Sequence, residues 1–163
     1  MALFATTADD WKYYRYGLDE PVSDFPHFES LWQCWQDRRV DGKLPAWRDF
    51  DFDDFRGWYG FLIVYDVLLN PFDLKYRLFG TEMVEMYKAE YTGKTFRENG
   101  FEIEDNQDLA HFEGLYTERK VGASTGPIYW DNRHWRNLSF LDLPLSGDGD
   151  TITHFLTAMR EIK

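Results

Sequence analysis

Apolar and polar positions follow two different periods along this chain. Phe28, Leu31, Trp32 and Trp35 recur at i, i+3, i+4 and i+7, which is one face of an amphipathic helix. Ser23 can cap that helix and Pro26 suits its first turn. Arg38 and Arg39 suit the negative end of its dipole, and Gly42 can end it. Pro45 then breaks the helical period, and Asp51 can cap a short second helix. Residues 61–69, "FLIVYDVLL", are β-branched and aromatic and predict a buried strand. "NPFD" predicts a turn with Pro71 in its second position, and residues 74–79 predict the antiparallel return strand. Alternation there sends Tyr76 and Leu78 to one face, Lys75 and Arg77 to the other.

Gly80 ends that strand, and residues 81–88 read as a helix, with Thr81 offering its hydroxyl oxygen to the first free N–H groups. A longer helix starts at Asn106 or Asp108, aligns Leu109, Phe112 and Tyr116, and stops at Gly122 after Arg119 and Lys120. The last third predicts strands at 127–131, 135–145 and 151–160. The hairpin loop "SGDGD" joins the last two and favours a strand over a helix in "ITHFLTAMREI". The predicted fold class is α+β: a five-stranded antiparallel sheet with short helices over one face, plus an N-terminal amphipathic helix. The predicted organisation is an arm over residues 1–22, a helical segment over 23–43 and one domain over 44–163.

Composition narrows the partners. A net charge of −11 opposes phosphate backbones and anionic lipid, so neither nucleic acid nor a membrane is an expected partner. The single cysteine, Cys34, excludes an internal disulfide and a cysteine-based zinc site, and reads as a small apolar group beside the first helix. No basic leader precedes Asp9 and Asp10, and the longest apolar run, broken by Asp66, is too short to span a bilayer. The expected location is the cytoplasm. Aromatic residues make up 19% of the chain, enough to furnish either a core or the wall of a pocket.

The motifs "LPAWRDFDF", "FLIVYDV", "YRLFGTEMVEMYKAEYTGKTF" and "LPLSGDGD" carry a resemblance. Over roughly residues 28 to 160 the chain resembles the PAS-like domains, in particular a subfamily of small, mostly bacterial, stand-alone domains. Trp47 stands where that family has an arginine, with Arg48 one place later, and Phe52 stands where it has a proline. The resemblance implies a sensory, signalling domain rather than an enzyme. A single glycine at Gly80 and no Gly-Lys-Ser/Thr make a phosphate-cradling turn a poor reading of the middle motif.

The side chains expected to line a ligand pocket between sheet and helices are Tyr65, Tyr76, Leu78, Met83, Met86, Tyr87, Phe112, Tyr116, Trp130, Phe140 and Phe155. They combine apolar walls with a few polar donors, as a small-molecule pocket requires, and the two methionines let such a wall repack. A filled core of the same residues is the competing reading. His27, His111, His134 and His154 show no metal-ligand spacing, so no metal is expected. No cofactor is expected either; haem held by His111, on the helix where haem-binding PAS domains carry their axial ligand, is the minor alternative. Asp49, Asp51, Asp53 and Asp54 lack the glycine and final glutamate of a calcium loop, and read as caps and solvated charge. The function expected is binding of a small, largely apolar or aromatic molecule, with output on a protein partner in trans. The alternative is a ligand-free protein-interaction or homodimerisation module, using Phe28, Leu31, Trp32 and Trp35 as its seam.

Overall fold

In the computed structural model, which describes residues 2–7, 10–98, 107–128 and 136–162, the apolar runs pair into a single sheet. Its strands are β1 (Leu3–Thr6), β2 (Lys12–Tyr16), β3 (Leu62–Leu68), β4 (Asp73–Phe79), β5 (Val121–Pro127), β6 (Asn137–Leu145) and β7 (His154–Ile162). They lie in the order β1-β2-β5-β6-β7-β3-β4, with every neighbouring pair antiparallel. The helices are α1 (Glu29–Asp37), α2 (Thr81–Tyr87) and α3 (Gln107–Glu118), with 3-10 turns at Pro26–Phe28, Trp47–Asp49 and Phe52–Phe55.

The sheet has seven strands rather than five because residues read as an arm join it. In "WKYYRY" both faces are aromatic, so no period-two signal separates inside from outside. Tyr13 turns its ring to His111 on α3 at 4.9 Å, while its neighbour Tyr14 meets Phe25 at 4.9 Å on the other side. A strand with both faces covered loses its alternation. β5 also departs from expectation. It runs Val121–Pro127, where residues 121–126 had not been read as a strand; of the strand expected at 127–131, residues 129–131 lie outside the described part. "VGASTGP" lacks large apolar side chains because α3 lies directly on it. A Cβ on Gly122 would sit 2.8 Å from His111 Nε2 and still nearer Leu115. The glycine read as a helix stop is therefore a strand residue that makes room for the helix.

Both faces of the sheet are covered. Asp142 and Phe140 on β6 point to the α3 side, where Asp142 meets His111 and Phe140 meets Trp11. Ser139, one residue away, bonds His27 at 2.8 Å on the α1 side. On that side Phe28 stacks on Trp58, and the Arg160 guanidinium lies 3.6 Å from the Trp58 ring centroid. Trp35 Nε1 donates to Pro144 O at 3.0 Å. The motifs around Pro45 and Ser146 are joined by main-chain bonds: Leu44 N donates to Gly149 O and Ser146 N to Pro45 O. Ser23 does not cap α1, whose N-cap is Phe28 after the Pro26–Phe28 turn. Asp49 and Asp54 accept from the Ala46 and Asp51 N–H groups at 2.8 and 2.7 Å, so two of the clustered carboxylates do serve as local caps.

Two histidines on the α1 side make stability depend on pH. Burial, helped by Arg160, holds the His27 pKa below its ordinary value; burial likewise lowers that of His154, against the pull of Asp66. The unfolded chain therefore takes up these protons first, near pH 6.5, and stability present above that pH declines as pH falls through it. The depressed carboxylates Asp54 and Glu90 act only below about pH 4.5. The urea midpoint is expected to drop between pH 7.5 and pH 5, and the double variant His27→Gln/His154→Gln to flatten that slope. An unchanged slope in the double variant would remove these two residues as its source.

Candidate functional site

The strand-to-helix junction at Gly80 organises the region where the sequence places a site. A Cβ on Gly80 would lie 2.6 Å from the Gly60 carbonyl carbon and 2.9 Å from Leu62 O, so only glycine fits. Gly80 N donates to Leu62 O, and Gly60 O receives the Glu82 N–H at 2.9 Å. The start of α2 is thus capped by a main-chain carbonyl from the loop before β3. The Thr81 hydroxyl is not its cap, since the N-cap position is Gly80. The second turn of the motif, "YTGKTF", returns along the outer side of β4. Tyr76 N donates to Lys94 O and Gly93 N to Tyr76 O, which closes that sheet edge.

Four of the expected pocket residues converge on the α3 side. Tyr65, Tyr76, Phe112 and Phe155 are buried there, and Met83 of α2 is fully buried. Their rings pack against one another: Tyr65 lies 5.1 Å from Tyr76 and 5.2 Å from Phe112, and Phe112 lies 5.1 Å from Phe155. Phe96, not singled out in the sequence, sits edge-on to Tyr65 at 5.5 Å. Burial drives the Tyr65 and Tyr76 phenols well above the ordinary tyrosine range, so both remain neutral hydrogen-bonding groups.

The others are more peripheral. Met86 and Tyr87 are half-buried, with Tyr87 5.9 Å from Phe79; Tyr116 meets Phe72 at 5.7 Å, and Phe140 meets Trp11 at 6.0 Å. Trp130 and His134 lie outside the described residues.

Leu78 does not join them. β3 and β4 shift register between Val64 and Tyr65: Tyr65 faces Tyr76 but Val64 faces Leu78. Arg77 is the extra residue of a bulge, and past it the strand's faces exchange. Phe79 turns inward, and Leu78, 38% exposed, turns to the opposite side of the sheet. The proposed seam residues Phe28, Leu31, Trp32 and Trp35 are all buried within the chain, so this helix face is spent on the sheet.

On the side where Leu78 emerges, a groove of about 400 Å³ opens beside the ends of β3 and β4. Trp47, Phe50, Phe52, Phe55 and Tyr59 line it, Leu62 and Leu78 close its inner wall, and Gly60 and Gly80 contribute backbone. Phe52 is 76% exposed and stacks face to face on Tyr59, 4.4 Å between centroids and 8° from parallel. Trp47 stacks on Phe55 at 5.5 Å and 21°. Arg48 and Asp51 are the charged residues of the lining, and Arg48 Nη2 donates to Gly147 O at 3.1 Å. Arg48 thus contacts the "LPLSGDGD" hairpin. The sequence reading missed this groove, although an aromatic at Trp47, Phe50, Phe52, Phe55 and Tyr59 was a signal in plain view.

No family model matches the chain, and no curated protein matches it. Among solved structures, an RNA-binding light-oxygen-voltage receptor superposes with a TM-score of 0.48 and 13% identity over 76% of this chain. The chain spans 37% of that receptor, and a likeness this faint carries no argument about fold or function.

A second polar cluster lies under α3. His111 Nε2 and Asp142 Oδ2 are 3.0 Å apart, and Thr157 Oγ1 donates to Asp142 Oδ1 at 2.7 Å. All three residues are buried, and His111 Nδ1 has no hydrogen-bond partner. Tyr13 donates from its hydroxyl to Asp108 at 2.6 Å, tying β2 to the first turn of the same helix. Among the described residues no helix is long and apolar enough to cross a membrane.

Proposed function

We propose that this chain is a PAS-like sensory domain that binds a small, largely apolar or aromatic molecule and passes its occupancy to a protein partner. The observation that carries the reading is the groove of about 400 Å³ lined by Trp47, Phe50, Phe52, Phe55 and Tyr59. Its size and apolar lining with two charged groups are those of small-molecule sites, which run about 300–1,000 Å³. The element order supports the family reading: two antiparallel strands, α2, α3, then three strands. A route for the signal is built in. Gly60 and Gly80 contribute to the groove and also start α2, so a guest pressing on them bears on that helix.

Thermal shift against a library of aromatic metabolites tests this. A ligand at about 100 times its Kd adds about 2.7 kcal/mol, a shift of several degrees for a domain of this size. Filling the groove with Leu78→Trp is expected to abolish the shift. If no compound stabilises the protein, or if stabilisers act equally on Leu78→Trp, the reading fails.

A further inference from the structure

We infer that the groove selects a planar aromatic cation of about two or three fused rings, an inference that rests on the small-molecule reading of the same groove. Three features of the lining converge on that class.

The first is size. An apolar cavity of roughly 150 Å³ holds one benzene ring. The groove, at about 400 Å³, has space for a larger fused system.

The second is shape. The rings that line the groove are stacked nearly parallel in two sets, Phe52 on Tyr59 at 8° and Phe55 against Trp47 and Phe50 at 21° and 27°. Sets of parallel rings present flat faces and edges, and the backbone of Gly60 and Gly80 beside them carries no side chain to interrupt a flat guest. Ring-on-ring packing of this kind rewards a planar molecule.

The third is charge. Asp51 lines the groove, and the guanidinium groups near it face other acceptors. Arg48 donates to Gly147 O, Arg38 is paired with Asp54, and Arg56 lies 3.9 Å from Asp53. Asp51 forms no ion pair among the described residues, although Arg38, itself paired with Asp54, lies near enough to feel its charge; aromatic faces attract cations, and a protein of net charge −11 draws them in. An anionic ring would meet Asp51, and one donor of Arg48 is already engaged by Gly147 O.

Binding of three probes to the whole chain, followed by isothermal titration, decides the matter. They are proflavine, a planar three-ring cation; 1-aminoadamantane, a globular cation; and 2-naphthoate, a planar anion. Proflavine is expected to bind at least tenfold more tightly than the other two. Asp51→Asn is expected to weaken it at least fivefold, and the same charge change at exposed Glu113, Glu113→Gln, less than twofold. Leu78→Trp is expected to abolish binding. Urea midpoints of the variants check that each is folded.

Equal weakening by Asp51→Asn and Glu113→Gln overturns the inference, because it reduces the effect to net charge. Equal binding of 1-aminoadamantane overturns planarity. Preference for 2-naphthoate, lost in Leu78→Trp, overturns the cation while leaving the small-molecule groove intact. Failure of every probe and of the metabolite library removes the groove as a ligand site altogether.

Discussion

Gly80→Ala lowers the stability of this fold by about 3 kcal/mol, since overpacking between two rigid backbone segments has no cheap relaxation. The added methyl would fall 2.6 Å from the Gly60 carbonyl carbon, nearer still to its oxygen, and 2.9 Å from Leu62 O, and those two oxygens accept the Glu82 and Gly80 N–H groups. Neither can retreat without breaking the bond that starts α2 or the bond that ends β4. The matched control is Gly17→Ala, where the nearest atom to the new methyl is Glu20 Oε1 at 3.8 Å, an ordinary contact. That change is expected to stay within about 0.5 kcal/mol. Urea unfolding of the two variants gives the comparison, and similar midpoints would sink the account of the Gly60–Gly80 crossing.

Asp142→Ala is expected to cost a few kcal/mol, about 1–3 for each of the two buried polar groups it leaves without a partner. Asp142 is 2% exposed and accepts Thr157 Oγ1 while its other oxygen meets His111 Nε2. Removing it strands a hydroxyl and an imidazole that have no route to water, and His111 Nδ1 already lacks a partner. The penalty belongs to the stranded groups more than to the lost bonds. Replacing the set together, Asp142→Leu with His111→Leu and Thr157→Val, is therefore expected to recover most of the loss. If the single change costs less than about 1 kcal/mol, or the triple variant is worse than the single, the cluster is not held by mutual satisfaction of its polar atoms.

Local pattern alone located much of the frame. β3, expected at 61–69, spans Leu62–Leu68, and β4, expected at 74–79, spans Asp73–Phe79. α2 begins at Thr81, directly after the glycine that ends β4. In each case the signal is a run of side chains whose period states their own geometry. β7 is a strand although its helical period is equally good, because the "SGDGD" turn returns the chain beside β6. β2 and β5 were hidden for opposite reasons. β2 is aromatic on both faces, and β5 is emptied of large side chains by the helix that rests on it. Neither has a period of its own; each takes its pattern from what covers it.

The candidate site divides the same way. The ring cluster of Tyr65, Tyr76, Phe112 and Phe155 could be named from strand and helix faces, since each side chain lies on the inward side of a regular element. Leu78 could not, because one extra residue at Arg77 reverses the faces, and a bulge depends on the pairing of two strands rather than on either alone. The groove was beyond reach for a related reason. Its aromatic residues lie in turns between Trp47 and Tyr59, where no period constrains direction, and its inner wall is the very leucine that the bulge turns outward.

The sequence by itself determined the element types wherever side-chain period or backbone chemistry is local: β3 and β4, the break at Gly80, the helix that follows, and the final hairpin. Only the tertiary structure decided the seven-strand sheet, the outward turn of Leu78, the burial of Trp32 and Trp35, and the groove. Those four depend on contacts between segments far apart in the chain, and the free energy of such contacts is a property of the pair, which neither segment's own residues encode.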